Sequence, residues 1–166
     1  MQTHTRRNCL LRACAVVSLA TLGLYASDPA PPPTPVGRWQ TVDDKTGQPR
    51  SIVSIWEQNG QFFGRVEKSL NPERAGRRCD KCTDERKGQL IVGMVIMRGL
   101  KKNGDEFTGG DILDPDNGKI YRCKLKVQDQ GSVLSVRGYL GASLFGRSQT
   151  WTREAEASAN VTASQK

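Results

Sequence analysis

The stretch SIVSIWEQ-NG-QFFGRVEKS, from Ser51 to Ser69, decides the fold of this chain. In the residues before Asn59, β-branched and aromatic side chains recur with the alternation of a β-strand. Asn59 and Gly60 follow, and this pair between two strand patterns predicts a tight turn because both residues tolerate positive φ. The residues after Gly60 form a returning strand, so the sequence predicts an antiparallel hairpin.

Short strands and polar turns continue on both sides of this hairpin. The predicted strands are Arg38–Val42, Ser51–Gln58, Gln61–Ser69, Leu90–Arg98, Glu106–Leu113, Lys119–Gln128, Val133–Leu140 and Arg147–Arg153. Sequential hairpins with almost no helical period predict an all-β fold, a single antiparallel up-and-down β-barrel of about eight strands, which is wide enough for one small ligand. A seven-stranded sandwich is the alternative, and it would need longer Greek-key connections.

One connection is much longer than the others. Residues Leu70–Lys87 are charged and contain Cys79 and Cys82, and we expect an irregular loop with at most one helical turn. Loops of this length in compact domains are usually functional or cross-linked. The next strand, Leu90–Arg98, is apolar on both faces, so its outer face needs a cover. The long loop or a second subunit, which would make a homodimer, could supply that cover.

The N-terminus has the order of a secretory signal peptide, which we assign to residues 1–26. Arg6 and Arg7 precede a largely apolar stretch that ends in small residues. The uninterrupted apolar core, Ala13–Leu24, is about a dozen residues long, which is short for a membrane-spanning helix. A membrane anchor is therefore the less favoured alternative, and we expect a soluble protein in the periplasm or outside the cell.

The rest of the chain divides into three parts by composition. Residues 27–35 form a proline-rich linker, residues 36–153 form the β-barrel domain, and residues 154–166 read as a disordered tail. Loss of the signal peptide removes three of 25 basic residues and lowers the net charge from +8 to +5. It also removes His4, the only histidine. The mature chain therefore cannot use histidine in catalysis, metal binding or pH switching.

Several motifs occur in order along the domain: Gly37-x-Trp39, Cys79-x-x-Cys82, Gly109-Gly110-Asp111, Asp114-Pro115, Gly118-x-x-Tyr121-x-Cys123, Arg137-Gly138-Tyr139 and Gly146-Arg147-x-Gln149-x-Trp151-x-Arg153. Together they resemble a family of bacterial envelope proteins known as domain of unknown function 2147. The resemblance covers nearly all of the domain and implies an exported lipocalin-like barrel with no established reaction. In such barrels a tryptophan and an arginine close one end, which implies that Trp39 pairs with Arg153. Arg147 lies on the same strand face and is the alternative partner.

Three cysteines remain after loss of the signal peptide: Cys79, Cys82 and Cys123. In an oxidising compartment an odd number implies one disulfide and one free thiol, or an intermolecular bond. All three pairings stay open from the sequence. A redox dithiol is less favoured than a structural disulfide, because the Cys-x-x-Cys motif lies in a loop of a β-protein rather than at a helix N-terminus.

No metal site and no cofactor are predicted. Zinc needs about four ligands, and three thiols without histidine make a poor set. The segment Asp114–Gly118 carries oxygen ligands but lacks the twelfth-position glutamate of a calcium-binding EF-hand, so turn chemistry explains it better. No acid–base constellation or phosphate-binding loop is present, and we expect no catalysis.

Basic residues concentrate in the long loop. They are Arg74, Arg77, Arg78, Lys81, Arg86 and Lys87. Export argues against nucleic acid as the partner, and an anionic envelope surface bound through Arg77, Arg78 and Lys81 is the alternative to a loop that only faces water.

Two functions from different classes follow from these patterns. The first is a binding protein whose barrel holds a small lipophilic or amphipathic molecule. Its predicted interior residues are Val53, Ile55, Val95, Tyr121, Leu125, Val136 and Leu140. A register slip of one residue would reverse any such assignment. The second is a structural or interaction protein of the envelope, with a filled barrel and the disulfide-stapled basic loop as its working surface.

Overall fold

The computed structural model of the protein describes residues 33–141 and 146–154, which form one β-barrel. The strands are β1 (Gly37–Val42), β2 (Pro49–Gln58), β3 (Gln61–Ser69), β4 (Val95–Asn103), β5 (Glu106–Asp114), β6 (Lys119–Gln128), β7 (Val133–Tyr139) and β8 (Gly146–Arg153). Single turns of 3-10 helix occur at Pro72–Arg74 and Asp129–Gly131. Within the described residues, no helix is long and apolar enough to cross a membrane. The predicted signal peptide, most of the predicted linker and nearly all of the predicted tail lie outside these residues.

The eight strands form a closed antiparallel barrel in sequence order. Each strand pairs with the next, and β8 returns to β1, where Trp39 is opposite Arg153. This is the predicted up-and-down barrel, and the sandwich alternative does not occur. A closed sheet leaves no unpaired edge, because the first and last strands satisfy each other's backbone groups.

The hairpin that decides the fold forms as the sequence predicts. Gln58 pairs with Gln61, and the turn residues between them, Asn59 and Gly60, have φ values of 53° and 72°. The register continues without a break from the turn to Val53, and it shifts between Val53 and Ile52. The sequence therefore specified this turn and its register through a single dipeptide.

The fourth strand begins five residues later than predicted. It runs from Val95 to Asn103, whereas the pattern indicated Leu90–Arg98. The residues before Val95 form a turn instead, in which the amide of Met94 donates to the carbonyl of Ile91. Gly93 permits this turn, because it has a φ of +92° and glycine adopts positive φ values without steric cost. An apolar run on both faces does not show where a strand begins, so the boundary was missed.

The long loop covers the apolar surface that needed a cover. Cys79 and Cys82 are fully buried and belong to the same hydrophobic core as Met94. The amide of Cys79 bonds to the carbonyl of Gln89, which holds the loop back on itself. Of the two possible covers, the long loop and a second subunit, the structure shows the long loop. The homodimer stays a prediction.

Candidate functional site

The barrel has two ends with different chemistry. At the first end, where β1 begins and β8 finishes, Trp39 is fully buried. The guanidinium carbon of Arg153 lies 4.2 Å from the centre of the Trp39 ring, and the indole Nε1 donates to the Pro35 carbonyl at 2.8 Å. Stacking of a guanidinium on an aromatic face is favourable even when partly exposed. We call this the sealed end.

Backbone carbonyls hold Arg153 over the ring. Its guanidinium donates to the carbonyls of Gly131 at 2.5 Å, Val36 at 2.8 Å and Thr34 at 3.0 Å. Gly37 has a φ of +138°, and a side chain there would collide with the same guanidinium. The Gly-x-Trp motif therefore makes room for the arginine that closes the barrel, and the partner of Trp39 is Arg153 rather than Arg147.

At the opposite end, which we call the open end, the barrel contains a cavity of about 540 Å³. Buried apolar side chains from six strands line its inner part: Val53, Val66, Ile96, Leu113, Val136 and Trp151. Ile91 and Val92, which lie between the long loop and β4, add to the lining. A largely apolar cavity of this size is in the range that holds small molecules.

The predicted interior residues separate into three groups. Val53, Tyr121, Val136 and Leu140 line the cavity, and Leu140 stands at its mouth with 52% of its surface exposed. Ile55 and Leu125 are buried in the core but do not line the cavity.

The third group is Val95 alone, which is half-buried and lies outside both the core cluster and the cavity lining. Its interior placement was wrong, because the strand starts at Val95 itself and its neighbour Ile96 takes the inward position. Because the run is apolar on both faces, the pattern did not show whether Val95 or Ile96 points inward.

Three arginines stand at the mouth of the cavity, and we call Arg50, Arg74 and Arg77 the arginine rim. All three line the cavity and converge on the carboxylate of Asp116, at 2.7, 3.0 and 2.9 Å respectively. Asp43 lies 3.7 Å from Arg50 and 3.6 Å from Arg74. Partial burial raises the pKa of Asp116, but the three guanidinium groups outweigh that effect and hold the pKa below its usual range.

The other side of the mouth is also polar. Arg147 pairs with Asp44, and the Gln149 amide donates to the same carboxylate at 2.5 Å. The indole Nε1 of Trp151 donates in turn to the Gln149 carbonyl oxygen at 2.8 Å. The cavity therefore combines an apolar interior with charged groups at one end only, which suits an amphipathic molecule.

Sequence reasoning missed most of this mouth. Arg50 and Arg147 come from the starts of β2 and β8 and Asp116 from the β5–β6 turn, and no single local motif connects them. A usable signal exists, because in an up-and-down barrel alternate turns lie at the same end. Charged residues at the start of β2, at the start of β8 and in the β5–β6 turn therefore had to lie at the same end of the barrel.

The disulfide joins Cys79 to Cys82, and Cys123 is a free, buried thiol. The disulfide packs against the β5–β6 turn, where Cys79 Sγ lies 3.6 Å from the Pro115 carbonyl oxygen. Burial, and secondarily the charge of Asp111, raise the pKa of the Cys123 thiol far above its usual range. Cys123 is therefore protonated at neutral pH and a poor nucleophile.

The basic loop residues do not form one exposed surface. Arg77 belongs to the arginine rim, and Arg78 donates to the Gly88 carbonyl at 2.7 Å. Arg86 is only 3% exposed and bonds to Asp84 and to the Val95 carbonyl. Lys81 is exposed. The loop thus uses several of its cations to hold its own structure.

The segment Asp114–Gly118 is a hairpin turn. The Asp114 side chain accepts hydrogen bonds from the Asp116 amide at 2.9 Å and from the Asn117 side chain at 2.8 Å. These bonds occupy the oxygens that the calcium alternative would need. Across the described part of the chain, no cluster of three or more His, Cys, Asp or Glu side chains could hold a metal ion.

Comparison with known proteins agrees with this architecture. The model of a bacterial family described as an uncharacterized protein conserved in bacteria (DUF2147) matches residues 37–153. The solved structure of protein HP1028 from Helicobacter pylori, reported to belong to the lipocalin family, is similar with a TM-score of 0.66 and 20% sequence identity. The match covers 75% of this chain and 85% of that one. At this identity the likeness concerns the fold. Comparison with curated protein sequences gives no match.

Proposed function

The chain belongs to the DUF2147 family of bacterial proteins and has a lipocalin-like fold, and we propose that it is an exported, non-catalytic protein that binds a small lipophilic or amphipathic molecule in its barrel. The lipocalin-like fold is typical of binding proteins rather than of enzymes. The observation that carries the proposal is the cavity of about 540 Å³ at the open end.

The shape of the cavity supports binding of a molecule with an apolar part. Its inner lining comes from side chains that are 1–6% exposed, such as Val53 and Ile96. Binding is favourable when an apolar ligand covers this apolar surface and displaces water from it. The sealed end prevents passage through the barrel, so such a ligand would enter and leave at the open end.

Export is supported by two independent features. Residues 1–26 have the order of a signal peptide, and the Cys79–Cys82 disulfide is typical of oxidising compartments such as the periplasm. Mass spectrometry of the protein isolated from its own host tests this. We expect a mature chain that begins after Ala20 or Ala26. A chain that retains Met1 through Ala26 would contradict export by this signal.

The alternative of an envelope interaction protein has less support. It requires a filled barrel and a working surface made from Arg77, Arg78 and Lys81. The barrel contains a cavity, Arg77 faces that cavity, and Arg78 is bonded within the loop. We therefore propose the binding protein.

A fluorescence titration with the neutral lipophilic probe N-phenyl-1-naphthylamine tests binding. We expect the probe to bind the purified protein and Val136→Trp to weaken binding about tenfold or more, because an indole would fill the cavity. The matched control is Val133→Trp, which makes the same change on β7 near the sealed end. It should leave the affinity within about twofold.

Two further measurements keep the test decisive. Circular dichroism melts show whether each variant folds. Val92→Trp offers a second change that would block the cavity, because Val92 is half-buried and lines it. If folded Val92→Trp and Val136→Trp bind the probe as well as the unchanged protein does, the cavity is not the binding site and the proposal fails.

A further inference from the structure

We propose that the arginine rim binds the anionic head group of a single-chain amphipathic ligand, a carboxylate or a phosphate, while its apolar chain occupies the cavity. This inference rests on the proposed function and deepens it, because it names the chemical class of the ligand. It follows from where the charges lie relative to the apolar lining.

At the arginine rim the cations lie on the cavity side. Arg50, Arg74 and Arg77 line the cavity, whereas their partners Asp43 and Asp116 do not. These two carboxylates hold the guanidinium groups in place from outside the cavity. The two carboxylates that do line the cavity have other partners: Asp44 pairs with Arg147, and Asp114 accepts hydrogen bonds within the β5–β6 turn. At the arginine rim, a head group in the cavity would therefore meet guanidinium groups before it meets Asp43 or Asp116.

The arginine rim keeps hydrogen-bond donors in reserve. A guanidinium carries five N–H donors. Within the described residues, Arg77 contacts Asp116 through Nη1 at 2.9 Å, while its Nε and Nη2 make no hydrogen bond. Its side chain is 40% exposed. Arginine binds carboxylate and phosphate oxygens through two parallel N–H donors, so this side chain can hold Asp116 and a ligand together.

Charge favours an anion over a neutral head group. Three guanidinium groups surround one carboxylate, and the second carboxylate, Asp43, lies at the edge of hydrogen-bonding distance. Two carboxylates leave this group of five with a local net charge of +1. Of the other charged residues that line the cavity, Arg147 and Asp44 pair with each other, and the Asp114 carboxylate accepts hydrogen bonds within its own turn. A bound anion would neutralise this excess close to the mouth, where the side chains are only partly hydrated.

Asp116 acts in this arrangement as an internal competitor. It occupies the position between the three arginines that a ligand anion would share. Its removal should therefore strengthen binding of an anionic ligand, whereas removal of Arg77 should weaken it. A merely structural role of the cluster does not predict opposite signs for these two changes, because either substitution would loosen the same loop.

The experiment is a competition titration against N-phenyl-1-naphthylamine with three ligands of equal chain length: dodecanoate, dodecyl phosphate and the neutral dodecanol. We expect both anions to bind the unchanged protein about tenfold more tightly than dodecanol. Arg77→Gln should weaken anion binding about tenfold and Asp116→Asn should strengthen it, while both leave dodecanol within about twofold. The stronger of the two anions identifies the head group as carboxylate or phosphate.

Arg98→Gln is the matched control. Arg98 has the same exposure as Arg77, 39% against 40%, and also pairs with a single carboxylate, that of Glu85 in the long loop. It does not line the cavity. Its substitution therefore disturbs the loop equally and should not separate the anions from dodecanol.

The outcomes distinguish the two proposals. If neither the probe nor any dodecyl ligand binds, the proposed function fails. If all three ligands bind equally and Arg77→Gln changes nothing, the cavity binds apolar chains but the arginine rim does not select an anion, and this inference is overturned. Weaker anion binding in Arg98→Gln to the same extent as in Arg77→Gln would also overturn it.

Discussion

The two ends of the barrel use arginine in different ways. At the sealed end Arg153 is held by three backbone carbonyls and the Trp39 ring. At the open end Arg77 is held by one carboxylate side chain and faces a cavity. Backbone carbonyls cannot leave without unfolding the chain, whereas a side-chain carboxylate can share its partner with another anion. The comparison teaches that arginine closes the barrel where its acceptors are fixed and remains available where they are exchangeable.

The largest effect should come from Trp39→Ala at the sealed end. Trp39 is fully buried, and its loss removes a large apolar side chain, the Arg153 contact and the Pro35 hydrogen bond. Truncation of a buried aromatic residue costs about 3–5 kcal/mol of unfolding free energy. Urea unfolding followed by circular dichroism measures this value.

Trp56→Ala is the control for that substitution. Trp56 is half-buried on β2 and stacks on Phe63 at a ring distance of 5.7 Å. Its removal should cost about 1 kcal/mol, because a half-exposed aromatic pair contributes little beyond its area. Equal losses for the two tryptophans would contradict the assignment of the seal to Trp39.

The sealed end could be predicted from the sequence, and the open end could be predicted only in part. Trp39 and Arg153 belong to local motifs whose resemblance to known barrels fixed their role. The arginine rim comes from the start of β2 and the long loop, and its partner Asp116 comes from the β5–β6 turn. No local pattern connects these segments, and only the closed topology brings them together.

Within the fold, strands with clear alternation were predicted well and the two-faced one was not. In β6 the sequence alternates apolar with charged residues, and the buried residues Cys123, Leu125 and Val127 follow that alternation. In β4 apolar residues occupy both faces, since the loop covers the outer one, so alternation carried no information on where the strand starts. Because both faces of β4 are apolar, the pattern did not distinguish Val95 from Ile96 as the inward residue, and Val95 was assigned to the interior incorrectly.

The next effect concerns the cover of the open end. Replacement of both Cys79 and Cys82 by serine removes a cross-link that closes a loop of four residues, which loop-closure entropy values at about 2 kcal/mol. We expect urea unfolding to show that loss, and hydrogen exchange to accelerate in the long loop rather than around Trp39. A strong reductant should have the same effect on the unchanged protein and none on the double variant. Faster exchange at the sealed end would contradict a local role for the disulfide.

Acid should loosen the open end through Asp116. Its pKa in the folded state lies below the unfolded value of 3.8, so its contribution is complete above that pH and is lost as the pH falls through the lower folded value. At neutral pH, Asp116→Asn should lower the unfolding free energy by about 1 kcal/mol, as for a partly exposed ion-pair network. The difference from the unchanged protein should vanish in acid. Urea unfolding at pH 7 and over a series of lower pH values measures this difference, and a difference that does not shrink as the pH falls below 3.8 would contradict this assignment.

The smallest stability effect should come from Leu140→Ser at the mouth of the cavity. Leu140 is 52% exposed, so its loss should change the unfolding free energy by less than about 0.5 kcal/mol. It nevertheless lines the cavity, and dodecanol should bind about threefold more weakly to the variant. Ile120→Ser is the control, because Ile120 is 41% exposed on β6 and does not line the cavity. Unchanged stability with weakened binding at Leu140, and neither effect at Ile120, would separate a residue used by the open end from one that only faces water.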